Sequence, residues 1–260
     1  MSALARRFRL DGKKAVVVGG GGLIGRPTTA CLAEAGAAVV CVDVDHQKCD
    51  RSQTGVNKLD HVNVDISDVG KIQEIVGDVV KGAGGVDVWV NAAYPRTADW
   101  GKANSEFSVE SWRRNIDLQL NATCFMAQAV AEIMQKAGNG GSIINLGSIY
   151  GVVGNDFELY KGLEMHPSPI YAAVKGGVVN FGRFLASRYG AYGIRVNTLC
   201  PGGVLDSQDA TFLERYNARV PLGRMANPEE VATTALFLAS EASSYITGAV
   251  LMVDGGWTAI

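Results

Sequence analysis

Tyr171 and Lys175 stand four residues apart in Tyr171-Ala172-Ala173-Val174-Lys175. On a helix both side chains would leave one face, one turn apart. A free tyrosine has a pKa of about 10 and is a poor base at neutral pH. A nearby ammonium favours the phenolate and lowers that value, which would make Tyr171 a general acid or base. A tyrosine in a packing patch beside a solvated lysine accounts for the same five residues. After them Val178, Val179, Phe181, Phe184 and Leu185 recur near helical spacing without a proline, so a helix is expected over 168–189.

A second constellation lies near the start. Lys14–Val18 reads as a short buried strand, Gly19-Gly20-Gly21-Gly22-Leu23-Ile24-Gly25 as a turn, and Arg26–Ala35 as a helix stopped by Gly36. Ala37–Val42 reads as the next strand and ends at Asp43. This is a βαβ unit of roughly 30 residues. Glycines in such a turn let the backbone approach a pyrophosphate, and the helix start offers free N–H groups and a positive dipole end. An acid closing the second strand can accept from ribose hydroxyls. A purely structural turn is the competing reading.

These groups need elements to position them, and the rest of the chain supplies candidates. His61–Val64 reads as a strand ending at Asp65, followed by a helix over Val69–Val80. Val86–Val90 reads as a strand with the small residues Asn91-Ala92-Ala93 at its end. Phe107–Lys136 reads as one long helix with Asn115 inside it, where an asparagine is either solvent-facing or functional. Ser142–Leu146 is a strand closed by Gly147-Ser148, and Ile194–Leu199 is one broken by Pro201-Gly202-Gly203. Asn227 caps a helix that starts at Pro228 and runs to about Ala239, and Gly248–Val253 is the last strand. No linker or repeat interrupts, so residues 1–260 are expected to form a single-domain α/β Rossmann fold, a doubly wound parallel sheet of about seven strands with helices on both faces. Ligand groups should collect beyond the carboxyl ends of the strands, where Asp43, Asp65, Asn91, Ser148 and Pro201 all fall.

Composition narrows the partners. The 260 residues carry a net charge of −2, which gives no electrostatic reason to expect nucleic acid or a membrane surface. Hydrophobic content of 47% against 19% charged residues allows a sizeable core. Five cysteines, without a C-x-x-C pair, predict reduced and mostly buried thiols in a cytoplasmic protein. His46, His61 and His166 lack metal-ligand spacing, so no metal is expected. Arg6-Arg7 is not followed by the apolar region of an export signal, and no run approaches the ~20 apolar residues of a membrane span.

Taken in order, the glycine turn at 19–25, Asn91-Ala92-Ala93, Asn115, Ser148, Tyr171-x-x-x-Lys175, Asn197-x-x-x-Pro201-Gly202 and Asp254-Gly255-Gly256 resemble the short-chain dehydrogenase/reductase family over nearly the whole chain. The resemblance implies that Tyr171 exchanges a proton with a substrate hydroxyl or carbonyl. It implies that Lys175 lowers the pKa of Tyr171 and holds the nicotinamide ribose, that Ser148 bonds the substrate oxygen, and that Asn115 holds a water in a proton relay. For the cofactor it implies contacts from Gly19, Gly22, Leu23, Ile24, Gly25, Asp43, Asp65, Ile66, Asn91, Ala92, Ala93, Tyr171, Lys175, Pro201, Gly202 and Val204. Relatives in this family are commonly tetramers packed through two long helices, so a homo-oligomer, tetramer or dimer, is expected.

Three departures stand out. Val18 occupies a position where many members have threonine. The spacing Gly19-x-x-Gly22-x-x-Gly25 is more similar to the sugar-nucleotide branch, and the interval from Ser148 to Tyr171 is long. Ala93-Tyr94-Pro95-Arg96, the long interval and Pro201-Gly202-Gly203 resemble oxidoreductases of surface-sugar and flagellin glycan biosynthesis. The expected activity is NAD-dependent interconversion of a secondary alcohol and a ketone on a small, sugar-like or polyhydroxylated substrate. Epimerase or dehydratase chemistry and a non-catalytic NAD-binding protein are the alternatives. NAD is expected over NADP, because Asp43 would repel a 2′-phosphate, Val44 offers no cation and Arg26 is expected to face away along its helix. The segment 151–169 joins the two ends of the reacting centre, so Asp156, Glu158 and His166 are expected to read substrate hydroxyls.

Overall fold

Ala15–Val18 are at most 3% exposed, because the strand they form is covered on both faces. That strand is β1 (Lys14–Val18), and it lies in the middle of a sheet. The computed structural model describes residues 2–45, 49, 59–102 and 107–260; His46 lies outside them. The other strands are β2 (Ala38–Asp43), β3 (Leu59–Asn63), β4 (Val88–Asn91), β5 (Gly141–Leu146), β6 (Ile194–Pro201) and β7 (Val250–Val253). Their order is β3-β2-β1-β4-β5-β6-β7, and every pair is parallel.

After a single helical turn α1 (Ala3–Arg6), the helices are α2 (Gly25–Glu34), α3 (Ile72–Gly82), α4 (Val109–Asn115), α5 (Ala122–Ala137), α6 (Pro169–Tyr189), α7 (Ala210–Arg219) and α8 (Pro228–Ala239). Apolar residues of α3, α5 and α6 pack on one side of the sheet with Val16, Trp89 and Ile143. Leu32 of α2 and Val231, Ala235 and Leu238 of α8 pack on the other with Val17, Val90 and Ile144. This is the doubly wound single-domain fold that the alternation of elements implies. The chain leaves β1 in one direction across the sheet and returns to β4 on its other side, so the crevice between the carboxyl ends of β1 and β4 is the topological switch point.

Four expectations need correction. The helix expected over 107–136 is broken by a π-helical segment, Ile116–Asn121, between α4 and α5. The amide Nδ2 of Asn115 donates to the Ser111 carbonyl at 2.9 Å and to Thr97 Oγ1 at 2.6 Å, so this side chain joins a loop to the end of α4 just where the helix widens. Helix α7 forms where the sequence pattern predicts no element: Asp209 caps it by accepting from Thr211 N and Phe212 N, and Phe212 and Tyr216 form its buried face. Cys41 and Cys49 form a disulfide with Cα atoms 6.3 Å apart, whereas Cys31, Cys124 and Cys200 are free. The chain beyond Asp43 brings Cys49 back beside β2, where both sulfurs are buried. Finally, Arg26 does not face away. Its Nη2 donates to the Gly21 carbonyl at 3.4 Å, so the side chain folds back onto the glycine turn.

Candidate active site

The carboxyl ends of β1, β2, β4 and β6 open into one cleft of about 700 Å³. At one end is the glycine turn. Gly19 has φ +74°, and a Cβ there would stand 2.5 Å from the backbone of Ala93; a Cβ on Gly25 would collide with the Gly19 carbonyl. The first glycine therefore permits a left-handed turn against β4's loop, and the last lets α2 start close under it. Gly19, Gly22, Leu23 and Ile24 line the cleft, and Gly25 lies behind them. At the start of α2 the N–H groups of Arg26 and Thr28 donate to the carbonyls of Gly22 and Ile24, and Pro27 has none, so the turn itself is closed onto the helix. Asp43 is fixed at the tip of β2, accepting from Gly21 N at 3.0 Å and from Asp45 N at 3.2 Å. It lines the cleft together with Asp65 and Ile66.

At the other end stand Tyr171 and Lys175, one turn apart on α6, with Pro201, Gly202 and Val204 facing them from the end of β6. Ser148 follows β5 and is buried. Lys175 is 8% exposed, and its Nζ donates to the Leu146 carbonyl at 2.7 Å. The same Nζ lies 5.6 Å from the ring centres of both Tyr94 and Tyr171. Burial lowers the Lys175 ammonium to about 8. Burial also raises the Tyr171 phenol, and the Ser148 hydroxyl offsets part of that by hydrogen bonding to it. The expected depression of Tyr171 by Lys175 is thus not what governs this arrangement: the ammonium is engaged by a carbonyl, and desolvation of the phenol dominates.

Four candidate residues stand away from the cleft wall, and Ser148 is one of them: it is buried and meets the site through its hydrogen bond to Tyr171. Asn91 is buried between strands; its Oδ1 accepts from Trp89 Nε1 at 2.7 Å and its Nδ2 donates to Asn145 Oδ1 at 2.8 Å. It ties β4 to β5 while Ala92 and Ala93 line the cleft. Gly25 packs behind the turn, as above. Asn115 is fully buried, and its side chain is bound to Thr97 and Ser111.

Two features went unread in the sequence. The loop after β4 forms an aromatic wall over Tyr171: Tyr94 and Trp100 meet its ring edge-on, with centroids 5.7 and 6.2 Å away, and the Arg96 guanidinium lies 4.9 Å above Tyr94. Only the aromatic composition of 94–100 hinted at this. The segment 152–168 is pinned to α7. Leu159 is buried with Phe212 and Tyr216, and Arg215 Nη1 donates to the carbonyls of Leu159 and Lys161 at 3.3 and 2.7 Å. Asp156 is paired with Arg219 at 2.6 Å, Glu158 with Lys161 at 3.4 Å, and His166 is exposed. The three polar residues expected to read substrate are therefore engaged elsewhere or face solvent.

This cleft can hold a dinucleotide along the glycine turn, with an alcohol or ketone between Ser148 and Tyr171. A family model described as enoyl-(acyl carrier protein) reductase matches residues 22–258. A D-threitol dehydrogenase of Mycolicibacterium smegmatis is 34% identical over 96% of this chain and 95% of its own length. Post-translational flagellin modification protein A of Campylobacter coli is 31% identical over 95% of this chain and 99% of its own. A short-chain dehydrogenase of Leptospira borgpetersenii with bound NAD+ superposes with a TM-score of 0.87 at 30% identity, covering 99% of this chain and 96% of its own. A gluconate 5-dehydrogenase of Burkholderia cenocepacia, in complex with NADP and tartrate, superposes with a TM-score of 0.86 at 30% identity, covering 99% of both chains.

Proposed function

Because the chain belongs to the short-chain dehydrogenase/reductase family, we propose that it interconverts a secondary alcohol and a ketone on a sugar-like, polyhydroxylated substrate, with NAD as its cofactor. The observation that carries this is that Tyr171 and Lys175, one turn apart on α6, line the same cleft as the glycine turn, with Ser148 hydrogen-bonded to Tyr171. Relatives and neighbours named for threitol and gluconate support the polyol class.

Gly19, Gly22, Leu23 and Ile24 would hold the pyrophosphate, Asp43 the adenosine ribose, and Asp65 and Ile66 the adenine. Ala92, Ala93, Pro201, Gly202 and Val204 would line the nicotinamide end. NAD, when bound, supplies the hydride acceptor. The residues of the chain handle the proton. In the oxidation direction Tyr171, once ionised to the phenolate, takes the proton from the substrate hydroxyl at Oη, and Ser148 Oγ holds that same oxygen by a hydrogen bond. In the reduction direction the phenol, kept neutral by burial, gives its proton to the carbonyl oxygen. Lys175, protonated at neutral pH, stabilises negative charge as it develops on the phenol. Asn115 acts through the backbone it organises around Thr97 and Ser111.

NAD is preferred over NADP because the fixed Asp43 carboxylate would meet a 2′-phosphate with like charge, and Val44 beside it is exposed and uncharged. Arg26 is turned onto Gly21 and does not line the cleft. The same proposal makes the enzyme a homo-oligomer, since Trp112, Phe125 and Phe184 project apolar surface from α4, α5 and α6. No helix among the described residues is long and apolar enough to cross a membrane.

The test is absorbance of the reduced nicotinamide with polyols, sugars and ketones, each supplied with NAD and with NADP. Net turnover with kcat/KM at least tenfold higher for NAD is expected. Isomerised product without net turnover would point to epimerase chemistry, and a tenfold preference for NADP would overturn the cofactor assignment.

A further inference from the structure

We propose that Arg96 recognises a carboxylate on the substrate, so that the favoured substrate is a sugar acid rather than a neutral polyol; this rests on the alcohol–ketone activity proposed above. Arg96 lies on the loop after β4 and lines the same cleft as Tyr171 and Lys175. Its guanidinium carbon stands 4.9 Å from the centre of the Tyr94 ring, and that ring meets the Tyr171 ring edge-on at 5.7 Å. One aromatic ring thus separates the cation from the residue assigned to proton transfer. A carbon chain of sugar length bridges such a span.

The guanidinium stands on a rigid support. Tyr94 packs edge-on against Trp100 at 5.8 Å as well as against Tyr171. Thr97, next to Arg96, is fastened to α4: its N–H donates to Asn115 Oδ1 at 3.3 Å, and its Oγ1 accepts from Asn115 Nδ2 at 2.6 Å. Asp99 is the nearest acid in sequence, and it is engaged by the Ser111 hydroxyl, which donates to it at 2.7 Å. Stacking on Tyr94 uses none of the five N–H donors of a guanidinium. Among the described residues Arg96 makes neither a hydrogen bond nor an ion pair, and its side chain is exposed.

The charges on the cleft wall decide what those donors can take. Asp43, Asp65 and Asp206 line it as acids, and Arg96 and Lys175 as cations. Lys175 is committed to the Leu146 carbonyl, and Asp43 to two backbone N–H groups at the far end. Arg96 is therefore the cation beside the reacting centre with donors to spare. Its planar fork matches a carboxylate through two parallel hydrogen bonds. A dianion such as a phosphate ester would face one uncommitted cation on a wall that carries three acids, so a single negative charge is the better match. The substrate class that follows is a polyhydroxy acid of the aldonate kind, oxidised at one of its hydroxyls and held by its terminal carboxylate.

Wild type, Arg96→Gln and Arg96→Lys are to be compared with NAD on matched pairs that differ in a carboxylate for a terminal CH2OH: D-gluconate and D-glucitol, D-galactonate and galactitol, D-threonate and D-threitol. In wild type at least one aldonate is expected to exceed its alditol by about tenfold or more in kcat/KM. Arg96→Gln should shrink that ratio about tenfold, through KM for the aldonate rather than kcat. Arg96→Lys should restore part of it, because the charge returns without the fork. Equal proportional loss on both members of a pair would give Arg96 a structural role through Tyr94 and overturns the proposal. An unchanged ratio with a Kd for NAD raised about tenfold in Arg96→Gln would place the residue on the cofactor diphosphate and overturns it as well. D-glucitol 6-phosphate outdoing D-gluconate would overturn the choice of a carboxylate. If wild type oxidises the alditols as efficiently as the aldonates, the carboxylate site is wrong and the alcohol–ketone activity stands. If no compound of the panel yields reduced cofactor, that activity falls and the carboxylate site with it.

Discussion

At the scale of single residues, desolvation sets the chemistry of the reacting centre. Burial raises Tyr171, and the Ser148 hydroxyl is the group that pulls it back. Alcohol oxidation needs Tyr171 as the phenolate to accept a proton, so its rate should climb with pH above neutrality. Replacing Ser148 with alanine removes the offset, and the alkaline limb of kcat/KM should move to higher pH as the overall rate falls. An unmoved limb would mean that Ser148 does not tune Tyr171. Lys175 gives a stability test. Its folded pKa, about 8, lies below the unfolded value of 10.5. The unfolded chain therefore binds the extra proton between those values, and stability from this site rises with pH across that window and is flat below it. Measured by denaturant unfolding, the stability of wild type minus that of Lys175→Met should grow from pH 8 toward pH 10.5 by up to roughly 3 kcal/mol. A difference independent of pH would show that Lys175 is not a buried ammonium.

At the scale of elements, the turn after β5 has little room to move. Gly151 meets the Lys175 backbone so closely that any side chain there must displace either the turn or α6. Gly151→Ala should cost about 1–3 kcal/mol in stability. It should also lower kcat, because Ser148 moves with the turn, while leaving the Kd for NAD near that of wild type. Equal kcat and Tm would contradict this packing. The elements also separate what local sequence encodes from what it does not. Lys14–Val18 was legible as β1 to its last residue, since a buried parallel strand is a continuous apolar run ended by glycine. Helix α8 was legible because Asn227, Pro228 and Glu230 form a capping box with Pro at the first position. The π segment after Asn115 was not, because the side chain's bond to Thr97 comes from a loop distant in sequence. Helix α7 carried a usable signal, Asp209 ahead of Phe212 and Tyr216, that the glycine and proline punctuation around it obscured.

At the scale of the whole molecule, chain order brings the ends of β1, β2, β4 and β6 to one edge, with Ser148 following β5 there. That is why motifs scattered from Gly19 to Val204 could be assigned to one cleft before any distance was known. What stayed hidden depends on the chain returning to itself: the pinning of 152–168 on α7, the aromatic wall over Tyr171, and the pairing of Cys41 with Cys49. Thiol labelling of protein denatured without reductant should find three reactive cysteines, Cys31, Cys124 and Cys200, and five after reduction. Five in both would contradict the disulfide. The central claim is that this cleft transfers hydride with Tyr171 as its proton donor and acceptor. The most direct measurement pairs turnover with cofactor binding in Tyr171→Phe, on the best substrate of the polyol panel. In this variant kcat should fall by about a thousandfold or more while the Kd for NAD stays within about threefold, because the ring remains and the exchangeable proton is lost. A variant that keeps most of the wild-type kcat would contradict it.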